Sequence, residues 1–229
     1  MTIQEVIAVI DRSGSMKGKE KDTVGGINTV ISELKNSKSQ EDTINFSIKL
    51  FNNEQIMKLR SLEISEVGDF SVSDFIPSGS TALLDAIGDT LTFFIQKKVM
   101  NPQAYDSCVI YIASDGLENS SIKYNRKYIK EIISNAENIY NIKVFYLGAN
   151  QDAILEAENL GIPMEQAINY LENELSTQAV YTSVARVVSE SRNSFNSVSF
   201  TPAERQASIQ PPLLTRSQPV QQTEYSTLY

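Results

Sequence analysis

The chain has 229 residues, 20 basic and 28 acidic, for a formal net charge of −8, and it contains no histidine and one cysteine. That length suffices for one well-buried domain of about 190–200 residues with an appendage. The acidic balance disfavours nucleic-acid binding through a broad basic face. The missing histidine removes the commonest general base and zinc ligand, and a lone cysteine forms no internal disulfide.

Along the chain, Val6 to Ile10 is a continuous apolar run, the pattern of a central parallel strand covered on both faces. It leads straight into Asp11-Arg12-Ser13-Gly14-Ser15. In an extended segment residues i, i+2 and i+4 point the same way, so Asp11, Ser13 and Ser15 turn their oxygens toward one point and Arg12 points elsewhere. An oxygen-only set suits a hard cation such as Mg²⁺. The same residue types also serve in turns and helix caps.

Val24, Ile27, Ile31 and Leu34 recur at helical spacing. Ile44, Phe46, Ile48 and Leu50 alternate with Asn45, Ser47, Lys49 and Phe51, a strand signal of period two. Asn52-Asn53 is a turn, and Ile56 to Ile64 is a returning strand, which makes a hairpin with one antiparallel edge strand. Pro77-Ser78-Gly79-Ser80-Thr81 precedes a helix marked by Leu83, Leu84, Ile87, Leu91, Phe94 and Ile95. Thr81 is a candidate ligand or, alternatively, the cap of that helix. Asp85 lies in its first turn, where a carboxylate suits the positive dipole end.

Ser107 to Ala113 is a second buried strand carrying Cys108, followed by Ser114-Asp115-Gly116. Asp115 is a candidate ligand or part of a turn dipeptide, and Glu118 reads as a solvated loop charge. Ile129, Ile132, Ile133 and Ala136 mark a helix, Lys143 to Leu147 a strand, Ala153, Ala157 and Leu160 a short helix, and Leu175 to Arg192 a long one. Strands alternating with helices imply an α/β fold: a doubly wound, mostly parallel sheet with one antiparallel edge strand and helices on both faces. In such sheets ligands sit at the carboxyl ends of the strands, which is where Asp11 and Asp115 fall.

These stretches together resemble the metal-ion-dependent adhesion site of von Willebrand factor type A domains, whose pattern is D-x-S-x-S, then a distant Thr, then a distant Asp followed by Gly. The matching positions are Asp11, Ser13, Ser15, Thr81 and Asp115. The resemblance covers residues 3 to 192. Leu147 to Asp152 also resembles a segment of bacterial and viral members. The resemblance implies a metal-binding domain over residues 1–195, with Mg²⁺ as the ion and Mn²⁺ or Ca²⁺ as alternatives. It further implies a protein partner that completes the metal shell with an Asp or Glu carboxylate, Ser13 and Ser15 as direct ligands, Thr81 direct when engaged, and Asp115 alternating between direct and water-mediated contact.

The expected role is therefore that of a non-enzymatic binding module, with neither nucleic acid nor membrane as partner. A scaffold or virion component built on the same fold is the alternative. A Mg²⁺-dependent hydrolase is a weaker reading: aspartyl-nucleophile phosphatases place a second Asp two residues on, where this chain has Ser13, and no phosphate-cradling glycine loop is present. No apolar run approaches the length of about 20 residues needed to span a bilayer, and Met1 to Glu5 lacks the basic start of a signal peptide. The expected location is cytoplasmic. Residues 196–229 are expected to form a Pro-, Gln- and Ser-rich disordered tail in which Pro211 to Leu214 and Glu224 to Tyr229 are candidate motifs for a further protein partner.

Overall fold

In the computed structural model, residues 2–149 and 153–209 are described. Six strands form one sheet in the order β3-β2-β1-β4-β5-β6. They are β1 (Ile3–Asp11), β2 (Thr43–Phe51), β3 (Gln55–Glu63), β4 (Ser107–Ser114), β5 (Ile142–Gly148) and β6 (Ala167–Asn169). All neighbours pair in parallel except β2 and β3, the antiparallel hairpin. The helices are α1 (Glu20–Ser37), α2 (Leu83–Met100), α3 (Arg126–Tyr140), α4 (Ala153–Leu160), α5 (Glu174–Ser194) and α6 (Pro202–Ala207). This is the doubly wound α/β sheet that the alternation of patterns implies, with its antiparallel edge strand.

Strand parity divides the core into two layers. Val6, Ala8 and Ile10 of β1 and Val109, Tyr111 and Ala113 of β4 pack with apolar residues of α1 and α5. Their alternates Ile7, Val9, Cys108, Ile110 and Ile112 pack with those of α2, α3 and α4 on the other face. Both faces being covered explains why these strands are uninterrupted apolar runs. Each buried aliphatic side chain contributes about 1.5–3 kcal/mol, so these two strands anchor both layers. Cys108 is fully buried, and burial pushes its thiol well above the ordinary range.

One boundary is corrected and two features are added to the sequence reading. The polar members of the β2 alternation, Ser47 and Lys49, are buried, because β2 lies between β1 and β3 with α2 over that face. Lys49 Nζ donates to Ala86 O (3.2 Å) and to Thr90 Oγ1 (2.9 Å) of α2. The three-residue strand β6 is too short for a periodic signal and went unpredicted. Lastly, the packed chain continues past the boundary drawn at residue 195.

Val198 and Phe200 are buried in the α1–α5 layer, and the Phe200 ring meets that of Phe145 edge-on at 5.3 Å. Helix α6 opens with a capping box, Thr201 with Glu204, and has Pro202 in its first turn. Thr201-Pro202-Ala203-Glu204 was thus a legible start signal inside the supposed tail. Glu204 pairs with Arg186 of α5. Arg205 donates to the carbonyl of Ala167, and Ser208 Oγ donates to that of Asn169 (2.6 Å). The segment therefore covers the outer edge of β6. The candidate motifs at Pro211 to Leu214 and Glu224 to Tyr229 lie outside the described residues, as do Asn150, Gln151 and Asp152.

Candidate metal centre

The strand order reverses between β1 and β4: the chain runs outward from β1 through β2 to β3, and from β4 through β5 to β6 the other way. In doubly wound sheets such a switch point is where the loops leaving the carboxyl ends of the two central strands flank the ligand site. Asp11 ends β1 and Ser114 ends β4. All five sequence-predicted ligands converge here.

Asp11 is fully buried and accepts two hydrogen bonds, from the Ser13 backbone N–H to Oδ1 (2.7 Å) and from Ser114 Oγ to Oδ2 (2.6 Å). Ser13 Oγ and Ser15 Oγ lie 2.9 Å apart, and Ser15 Oγ donates to Asp115 Oδ1 at 2.6 Å. Thr81 is buried. Its position follows from Gly116: a Cβ built on that glycine would stand 3.0 Å from Thr81 Oγ1, 3.5 Å from Ser15 Oγ and 3.6 Å from Asp11 Oδ2. Three of the predicted ligand oxygens thus face one small space that a methyl group would invade.

The surrounding loops are tied by backbone contacts. Gly14 N–H donates to Gly79 O (3.0 Å) and Ser78 N–H to Arg12 O (2.8 Å). Gly79 adopts φ +75°, and a Cβ there would strike Asn53 Oδ1 at 2.1 Å, so only glycine serves at this turn. The Arg12 side chain turns away from the site, as alternation predicts, toward Asn52 and Glu54 (both 3.3 Å).

Thr81 does not cap α2; the cap position is Ala82, which has no side-chain cap. Glu118 does that work instead, accepting from Leu84 N–H (2.9 Å), and Ser121 Oγ accepts from Asp85 N–H (3.0 Å). Glu118 is therefore no solvated charge: it also accepts from the Ser120 and Ser121 N–H groups and closes its own loop. The Asp85 carboxylate accepts the N–H groups of Ile122, Lys123 and Tyr124 at 2.9–3.1 Å. It holds the far end of the loop that carries Asp115, and it does not face the ligand set.

Two residues at the site went unread in the sequence. Ser114 orients Asp11. The Lys19 ammonium pairs with Asp115 Oδ2, and also with Glu172 Oε1 at 2.7 Å. The Asp115 side chain is 2% exposed. Burial raises the Asp11 pKa, the bonds from Ser114 and Ser13 partly offset this, and the charge of Asp115 adds to it. Burial works against the Lys19 ammonium, but the two carboxylates outweigh it and the Lys19 pKa is raised.

Two carboxylates and three hydroxyls suit a hard divalent cation by the chemistry of their oxygens. Among the described residues no group of three or more His, Cys, Asp and Glu is assembled for a metal, so any cation here would rely on hydroxyls and keep much of its positive charge. No helix among them is long and apolar enough to cross a membrane.

No family model matches the sequence, and no curated protein is significantly similar to it. Similar folds occur among solved structures. Proximal thread matrix protein 1 from the mussel byssus superposes with a TM-score of 0.58 at 12% identity, over 82% of this chain and 46% of that one. A von Willebrand factor type A protein from Catenulispora acidiphila gives 0.58 at 14%, over 82% and 43%. The manganese-loaded TRAP protein of Plasmodium vivax gives 0.52 at 17%, over 74% and 69%. The chain thus spans under half the length of the first two. It has the von Willebrand factor type A fold.

Proposed function

We propose that this protein is a metal-dependent protein-binding module. Asp11, Ser13, Ser15, Thr81 and Asp115 would hold a divalent cation, Mg²⁺ foremost and Mn²⁺ or Ca²⁺ as alternatives. The observation that carries the reading is the approach of Thr81, Ser15 and Asp11 oxygens to the single space beside Gly116. With three neutral hydroxyls among five ligands, a bound divalent ion would remain electrophilic toward an outside anion. An Asp or Glu carboxylate of a protein partner is the natural complement. Similar folds with metal support this: one is manganese-loaded, and another form of the mussel protein has a zinc-occupied adhesion motif.

The site favours binding over catalysis. On this reading its serine hydroxyls that meet carboxylates, Ser15 on Asp115 and Ser114 on Asp11, serve to assemble and orient the ligand set. A scaffold role is the second reading, supported by the fold's occurrence in a byssal thread matrix protein. A cytoplasmic setting and the absence of nucleic-acid and membrane partners remain part of the proposal.

The test is capture from host lysate with the full chain and with Asp11→Ala, each with Mg²⁺ and with EDTA, alongside calorimetric titration of Mg²⁺ into both. A partner retained only by wild type with Mg²⁺, and Mg²⁺ binding lost in Asp11→Ala, are the expected results. Retention in all four conditions would move the interaction off the metal site and favour the scaffold.

A further inference from the structure

We infer that Lys19 is a built-in competitor for the metal: its tethered ammonium takes the Asp115 carboxylate when no divalent ion holds it, and Glu172 receives the ammonium when the ion binds. This rests on the metal-site reading and adds a regulating residue to it.

The geometry is specific. Asp115 presents Oδ1 to Ser15 and Oδ2 to Lys19, so the ammonium engages a carboxylate that is a predicted ligand. Lys19 is held from both sides, by the buried Asp115 side chain and by the half-exposed Glu172, whose side chain is 47% exposed. A cation bound among Asp11, Ser15 and Asp115 would repel the ammonium, and Glu172 offers it a second carboxylate without leaving the site. Lys19 also stands where local preference opposes it. It is the N-cap of α1 and makes no side-chain cap, a position that favours Ser, Thr, Asp or Asn and that the helix dipole makes unfavourable for a positive charge. A broken local rule beside a site points to a role in the site.

The consequence is reciprocal linkage between ammonium and metal on one carboxylate. The test is calorimetric titration of MgCl₂ into the full chain as wild type, Lys19→Met, Glu172→Gln and the double variant, with Asp11→Ala as control and the thermal midpoint of each measured in EDTA. Lys19→Met is expected to tighten Mg²⁺ binding by on the order of tenfold, an ordinary coupling strength, and to lower the metal-free midpoint, because two neighbouring carboxylates lose their counter-charge. Glu172→Gln, a change on an exposed side chain that spares the core, is expected to weaken Mg²⁺ binding by confining Lys19 to Asp115. The double variant is expected to match Lys19→Met. Unchanged or weaker binding in Lys19→Met, with Asp11→Ala still losing it, overturns the competitor role and leaves the metal site standing. Absence of Mg²⁺ binding in both wild type and Lys19→Met overturns both.

Discussion

Ser15 Oγ donates to Asp115 Oδ1 at 2.6 Å, a bond between residues 100 apart in the chain. It joins the loop after β1 to the loop after β4 at the point where the sheet reverses its order. Neither loop supplies the whole ligand set alone. On the proposed function, the affinity of this site for metal would depend on how firmly the two loops are held together.

Gly116→Ala places a methyl 3.0 Å from Thr81 Oγ1 and 3.5 Å from Ser15 Oγ. Gly116 is not among the positive-φ glycines, so alanine suits its backbone. Titration should show Mg²⁺ affinity falling by about tenfold or more, equivalent to about 1.4 kcal/mol, while the thermal midpoint in EDTA changes little. A large loss of metal-free stability would place Gly116 in the fold rather than the site.

Ser114→Ala removes the donor to Asp11 Oδ2. A hydrogen bond to a charged group contributes about 1.5–3 kcal/mol, so denaturant unfolding without metal should show a loss of that order. Mg²⁺ should restore part of it, since the cation would take over the charge that Ser114 supports. An equal deficit with and without Mg²⁺ would show that Ser114 acts on the fold alone.

Lys49 should make stability depend on pH. Burial lowers its pKa from 10.5 to about 8, Asp89 opposes the change, and Lys123 and Arg60 add to it. The unfolded chain therefore holds the proton to higher pH than the folded one. Stability contributed at this position is lowest below pH 8 and rises as pH climbs from 8 to 10.5, by about 3 kcal/mol. Lys49→Met should be more stable than wild type at pH 7, with the difference narrowing toward pH 10.5 in parallel unfolding curves. A difference that does not change with pH would contradict the buried charge.

The segment after α5 should stabilise the domain. A chain ending at residue 209 should melt several degrees above one ending at 195, which lacks Val198, Phe200 and the Arg186–Glu204 pair. Phe200→Ala in the full chain should cost about 3 kcal/mol, as a large buried aromatic does. Coincident melting of the two truncations would mean that residues 196–209 contribute nothing to the packed core.

Much was readable from local pattern. Apolar runs and helical spacing located β1, β4, β5 and the long helices because burial on one or both faces imposes a period on the chain. The alternation of Asp11, Ser13 and Ser15 was readable for the same reason, as was the turn of Arg12 away from them; that it ends on Asn52 was not. Where local pattern failed, a distant partner had changed a residue's surroundings. Lys49 marks only the period of a strand in the sequence; its burial under α2 comes from a distant element. Glu118 looked like a loop charge until the start of α2 came within 2.9 Å. The α6 capping box was visible in four residues, but the Pro- and Gln-rich composition around it hid the signal.

Local sequence thus encodes the α/β grammar, the parity that splits the core into two layers, and the five oxygen-bearing residues that gather at the switch point, because each is set within a few residues by sterics and hydration. Long-range packing alone brings Asp115 to Ser15, turns Thr81 to the same space instead of leaving it to cap a helix, and lets Lys19 reach carboxylates 96 and 153 residues away. Those contacts follow from strand order at the β1–β4 switch point, which depends on the packing of the whole sheet and leaves no periodic trace in the chain.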